Sequence, residues 1–138
     1  MAARVSLRPA TAVRIFCPVR LETLRRLAAG ESDALHADPV LGRMLAIIRA
    51  ENPLGDFGLY KGVVEISTGF ESFSPTAEAK PTSGGAGEVA VSPTVIITTY
   101  IRDDAPEELV AASLNELVAA HPWEVPVIEV FQTSLVGR

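Results

Sequence analysis

The sequence predicts an α+β fold in which helices cover one face of a four-stranded antiparallel sheet. Three observations carry this expectation. Four β-branched, apolar segments lie along the 138 residues, at 13–19, 60–68, 94–101 and 125–133. Helix-periodic stretches separate the first from the second and the third from the fourth. A right-handed crossover places both helical layers on the same side of such a sheet.

Residues 1–11 read as a short N-terminal arm. Residues 13–19 (VRIFCPV) form the first strand, with Pro18 near its end, where a missing N–H does least harm. Residues 21–29 (LETLRRLAA) put Leu21, Leu24, Leu27 and Ala28 on one helical face, and Gly30 stops the helix. The polar run 30–38 (GESDALHAD) reads as a loop, and one helix or two remain open for residues 20–57. Asp38-Pro39 opens a helix, with aspartate as N-cap and proline at the first helical position. Its core face is Val40, Leu41, Met44, Leu45 and Ile48, and Asn52-Pro53 ends it.

Residues 52–58 (NPLGDFG) are a turn cluster, and 60–68 (YKGVVEIST) read as the second strand. Residues 69–89 are rich in glycine, proline and small side chains. They read as a long flexible hairpin arm or an ordered functional loop, since connections beyond roughly 12–15 residues are usually one or the other. The near-continuous apolar run at 94–101 fits a central strand. Asp103 or Asp104 caps the next helix, Glu107 and Glu108 complement its dipole, and Val110, Leu114, Leu117 and Val118 give its buried face. His121-Pro122 ends it before the strand at 125–133. This order is the split βαβ arrangement of ferredoxin-like βαββαβ sandwiches, with an extra helical segment after the first strand. One domain, 1–138, accounts for the whole chain. Val63, Ile66, Val95, Ile97, Val127 and Val130 are too many apolar positions for one helical layer, so the second sheet face is expected to be buried by self-association.

Composition narrows the functional classes. Hydrophobic residues make up 48%, which excludes a disordered chain. Twelve basic against seventeen acidic residues leave a net charge of −5, so nucleic acid is not an expected partner. The single cysteine, Cys17, excludes an intrachain disulfide framework and fits a reducing compartment. No apolar run approaches the roughly 18 residues of a membrane span. No apolar h-region follows the basic N-terminus, so a signal peptide is not expected and the cytoplasm is.

Residues 119–130 read AAHPWEVPVIEV. This resembles the CutA divalent-cation-tolerance family, whose last strand follows H-P-Y-E-V-P; His121, Pro122, Glu124, Val125 and Pro126 match, and Trp123 stands for the tyrosine. Ile15-Phe16-Cys17 is similar to that family's opening strand. Gly58-x-Tyr60, Phe73-x-Pro75, Lys80-Pro81 and Gly87-Glu88 resemble the small domain of NIF-three-like proteins. Both families belong with the PII-like ferredoxin folds. The resemblance implies a cytoplasmic homotrimer that binds a divalent metal ion or small ligand at subunit clefts. It also raises a PII-type signalling module that engages a nucleotide or a partner protein through the 69–89 loop. A purely structural assembly domain is a third reading, and an enzyme with a cleft between subunits a fourth.

Each candidate residue has a plain alternative. His121 either terminates its helix or shares a metal with Glu124, a donor pair that suits borderline divalent ions. Two groups are too few for a zinc site, so a neighbouring subunit would have to contribute. Cys17 is a small buried hydrophobe or, by the CutA-like match, a copper ligand. Trp123 is a core or interface anchor. His36 and Asp38 form an H-x-D pair best read as loop and helix cap. The segment Ser83-Gly84-Gly85-Ala86-Gly87 is a hairpin tip or a phosphate cradle, with Lys80 as its nearby cation. It does not open a helix and lacks the P-loop lysine spacing. No nucleophile motif is present, which favours a binding protein over an enzyme.

Overall fold

The computed structural model describes residues 4–82 and 84–138. Its elements are β1 (Ser6–Pro18), α1 (Leu21–Ala28), α2 (Ala34–Ala37), α3 (Pro39–Arg49), β2 (Glu65–Phe73), β3 (Ala90–Arg102), α4 (Glu107–Ala120) and β4 (Ile128–Gly137). The strands form one antiparallel sheet in the order β2-β3-β1-β4, the ferredoxin-like arrangement that the element order implies. None of the described helices is long and apolar enough to cross a membrane.

Alternation along the strands decides what each face does. Val13, Ile15 and Cys17 of β1 and Val95, Ile97 and Ile101 of β3 are buried beneath the helices. Leu41, Met44, Leu45 and Ile48 of α3 and Leu117 and Ala120 of α4 complete this core. Val95 and Ile97 thus serve the helical layer, with Ile66 packed against it, and not the second face to which they were assigned. The opposite face carries Arg14, Phe16, Ile96, Thr98 and Tyr100, all half-buried, with Phe131 beside them. Arg14 lies 5.3 Å from the Phe131 ring centre and 3.4 Å from Glu129 Oε1, so this face mixes apolar and charged groups.

The 20–57 region resolves into three helices, including the four-residue α2 where a loop was expected. Asp38 organises it. One carboxylate oxygen accepts the N–H groups of Val40 (3.1 Å) and Leu41 (3.2 Å), which caps α3. The other accepts the Arg20 N–H (3.0 Å) and the Thr23 hydroxyl (2.7 Å), which ties down the start of α1. His36, in contrast, is exposed, with Arg49 Nη1 donating to its Nδ1 at 3.2 Å. In α1, Leu24 and Leu27 pack on the core, while Leu21 stays exposed.

Several expected boundaries move, each for a tertiary reason. Residues 6–11 are not an arm: they pair with β4 from Ser6 opposite Gly137 onward. The second strand starts at Glu65 and not residue 60, because Val63 is occupied elsewhere. Its N–H donates to the Gly55 carbonyl and its carbonyl accepts the Thr99 hydroxyl. β2 runs on through Phe73, which shortens the hairpin loop to residues 74–89. β3 begins at Ala90 and passes through Pro93, whose carbonyl accepts the Val19 N–H just beyond the end of β1. β1 therefore stops at Pro18 while β2 and β3 continue, and the sheet is notched there. β4 spans Ile128–Gly137, later than the expected 125–133. Neither Asp103 nor Asp104 caps α4: Pro106 holds that position, and Asp104 instead pairs with Arg102 at 2.7 Å. Val118 is exposed, and Ser113 takes an inward position by donating its hydroxyl to the Leu109 carbonyl.

Candidate functional site

The notch brings together the two stretches that the sequence singled out, the HPWEVP segment and the loop after β2. His121 follows the last turn of α4 as its C-cap, and Pro122 prevents further helix. The ring is buried. Its Nδ1 accepts the Trp123 N–H at 3.2 Å, so the ring proton lies on Nε2, which donates to the Phe16 carbonyl at 2.8 Å. Burial holds the imidazole below its ordinary titration range, and the Phe16 carbonyl offsets part of that. His121 therefore clamps the end of α4 to β1 as a neutral group.

This sets the sign of one pH effect. The unfolded ring takes up a proton near 6.5, but the folded ring resists it to lower pH. Stability from this group is present above that range and is lost as pH falls through it. The melting midpoint is expected to drop between about pH 7 and about pH 5.5, and the drop is expected to shrink in His121→Gln. Thermal melts of both proteins across that range check this; equal slopes would refute it.

From His121 an aromatic row leads into the cleft. The Trp123 ring stands edge-on to His121 at 5.8 Å and to Phe73 at 5.2 Å. Glu124 reaches across and accepts the backbone N–H of Lys80, which fastens the loop to the HPWEVP segment. The loop is also bonded within itself, with Gly87 N–H to the Pro75 carbonyl at 2.7 Å. The result is a cleft of about 480 Å³, bounded by Glu71, Phe73 and loop residues on one side and by Trp123, Val125 and Val127 on the other. That volume lies within the usual range of small-molecule sites.

Glu71 is the member of this lining with an unmet polar group. Its Oε1 is buried and has no hydrogen-bond partner among the described residues. Burial pushes its carboxyl up from the ordinary range, and the neighbouring Thr94 hydroxyl pulls part of the way back.

The metal candidates are not brought together within the chain. Both nitrogens of His121 are engaged, Glu124 holds the loop, and the buried Cys17 thiol is pushed up to about 12, first by desolvation. Among the described residues, no three His, Cys, Asp or Glu side chains gather closely enough to hold a metal ion. In the glycine segment, Gly84 and Gly87 turn the loop at positive φ (83° and 76°), and the Gly87 amide is already used. Gly85 accepts the Glu88 N–H, the Lys80 side chain is exposed, and Ser83 lies outside the described residues.

Glu71, Val125 and Val127 were missed as site residues. Glu71 escapes because the sequence ends the second strand at residue 68; only with β2 running on to Phe73 do Glu71 and Phe73 sit two apart on one strand and share a face.

No protein-family model and no curated protein sequence matches the chain. Solved structures do. A Bacillus cereus protein related to NIF3 superposes with a TM-score of 0.59 at 20% identity, over 93% of this chain and 26% of that one. This chain thus spans about a quarter of that protein's length. CutA1 from Oryza sativa overlaps with a TM-score of 0.46 at 18% identity, over 91% of this chain and 81% of its own. The periplasmic divalent cation tolerance protein CutA from Archaeoglobus fulgidus overlaps at 0.43 and 16%, over 88% and 81%. Overlaps that loose add no weight of their own. What the Bacillus cereus match shows is the fold: this chain is a ferredoxin-like βαββαβ domain sharing its architecture with one segment of a NIF3-related protein.

Proposed function

We propose that the chain is a CutA- or PII-like binding module, not an enzyme, which takes a small ligand in the cleft between residues 71–82 and 123–127 and works as a cytoplasmic homotrimer. The cleft carries this reading. Two stretches distant in sequence are fastened across it by Glu124 and Lys80, and aromatic and aliphatic side chains line it. A small ligand fits better than a bare divalent ion, because His121 has no free nitrogen and the lining is mainly apolar. Self-association is supported by the half-buried Phe16, Ile96 and Tyr100 on the uncovered sheet face and by the unpaired outer edges of β2 and β4.

Trp123 is the only tryptophan, so its fluorescence reports on the cleft directly. A library of organic cations, carboxylates, nucleotides and divalent metal salts is expected to contain a compound that shifts this emission saturably and raises the melting midpoint. Ala79→Trp, which fills the cleft, is expected to abolish the rise. A compound that stabilises Ala79→Trp as well as wild type binds elsewhere and would count against the cleft. Light scattering is expected to give a trimer mass, and a monomer at micromolar concentration would remove the assembly.

A further inference from the structure

We infer that the cleft selects a small organic cation, an ammonium or amidinium group on an aromatic or aliphatic body. This rests on the cleft reading above and names its ligand class. Charge is the first argument. The only charged side chains among the described lining residues are Glu71 and Glu124, and no lysine, arginine or histidine joins them. An anion entering here meets two carboxylates and no compensating cation.

The second argument is the unmet acceptor. Glu124 is engaged with the Lys80 N–H, but Glu71 Oε1 has no donor among the described residues, since the neighbouring Thr94 hydroxyl donates to the Ser92 carbonyl at 2.9 Å. Buried acceptors in folded proteins are nearly always paired, and the exceptions call for a missing partner. A ligand N–H supplies one, and a charged N–H supplies the stronger, charge-assisted bond. Burial already disfavours the Glu71 anion, and a bound positive charge reverses that.

The third argument is the wall. Glu71 pairs with Ser92 and Phe73 with Ala90, which places both on the β2 face turned away from the helices. Trp123 stands edge-on to Phe73, so its ring borders the same space. An ammonium within about 6 Å of an aromatic face is attracted by the ring quadrupole. Val125 and Val127 offer apolar surface to the rest of the ligand. A bare divalent ion is served worse, because it requires six or so oxygen ligands and two carboxylates stand here.

The test is to titrate the full chain with phenethylammonium, following Trp123 emission, against 2-phenylethanol and 3-phenylpropionate as neutral and anionic counterparts. Phenethylammonium is expected to bind most tightly. Glu71→Gln is expected to weaken it at least about tenfold while melting no lower than wild type. Glu78→Gln, an exposed loop position outside the cleft lining, is expected to leave binding unchanged. Val127→Arg provides a second variant that places a cation in the cleft and is expected to reject the ammonium. Tighter binding of the alcohol or the carboxylate would overturn the cation assignment and leave the cleft reading standing. Unweakened binding in both Glu71→Gln and Val127→Arg would also overturn it. No Trp123 response to any of the three overturns the assignment, and silence across the wider library removes the cleft reading as well.

Discussion

Asp38→Ala is expected to destabilise the protein by about 3 kcal/mol, measured as a lowered denaturant midpoint at unchanged slope. Asp38 is 3% exposed, yet its two carboxylate oxygens receive four donors from two helices. Losing a helix cap alone costs roughly 0.5–2 kcal/mol. Here the same substitution also strands the buried Thr23 hydroxyl and the Arg20 amide, which begin α1. An unpaired buried donor costs roughly 1–3 kcal/mol. The contributions overlap, so the total falls below their sum. Asp38→Asn is expected to lie between, since one amide oxygen can still cap α3 but its NH₂ cannot accept from Arg20. A loss under about 1 kcal/mol for the alanine variant would mean that the two helices are held independently of this residue.

Gly55→Ala is expected to cost more than about 3 kcal/mol. Gly55 sits at φ +63°, where an L side chain is strained by roughly 1–2 kcal/mol. More serious is the space. An added Cβ would lie 2.6 Å from the Val63 carbonyl oxygen, 2.7 Å from its nitrogen and 2.9 Å from Thr99 Oγ1. Relief requires moving the strand of contacts that locks residues 55–63 against β3: Gly55 N–H to Tyr100, Val63 N–H to Gly55, and Thr99 to Val63. Gly30→Ala is the matched comparison. Gly30 also has positive φ (82°), but nothing lies within 4 Å of its added Cβ. Its cost is expected to be about 1 kcal/mol, from backbone strain alone. Equal losses at both positions would show that close packing at Gly55 does not matter.

The periodic parts of the fold were legible in the sequence. The α3 face of Leu41, Met44, Leu45 and Ile48 is the buried face, and Asp38-Pro39 starts that helix. His121-Pro122 ends α4. What local pattern does not contain is which backbone groups find distant partners. Val63 and Val64 read as strand residues, but Gly55 and Thr99 claim Val63 first. Residues 6–11 read as an arm because they carry little apolar signal, and β4 recruits them through the backbone ladder, with Gln132 Nε2 donating to the Thr11 hydroxyl at 3.1 Å. In the site, His121, Trp123 and Glu124 were flagged by their motif. The company they keep depends on β1 ending early, which no short window reveals. The same holds for His121, whose motif does not reveal that both ring nitrogens are bonded within the chain.

The early stop of β1 has an evolutionary corollary. Because the cleft opens where β1 pairing has ceased, part of its wall, from Ser74 to Thr82, belongs to the 74–89 connection, while Glu71 and Phe73 are held by the registered end of β2. Residues inserted or deleted there would reshape the chamber at a small entropic penalty, since loop closure depends only logarithmically on length. On the proposed function, changes confined to that connection alter ligand preference while the strands and helices that specify the fold stay as they are.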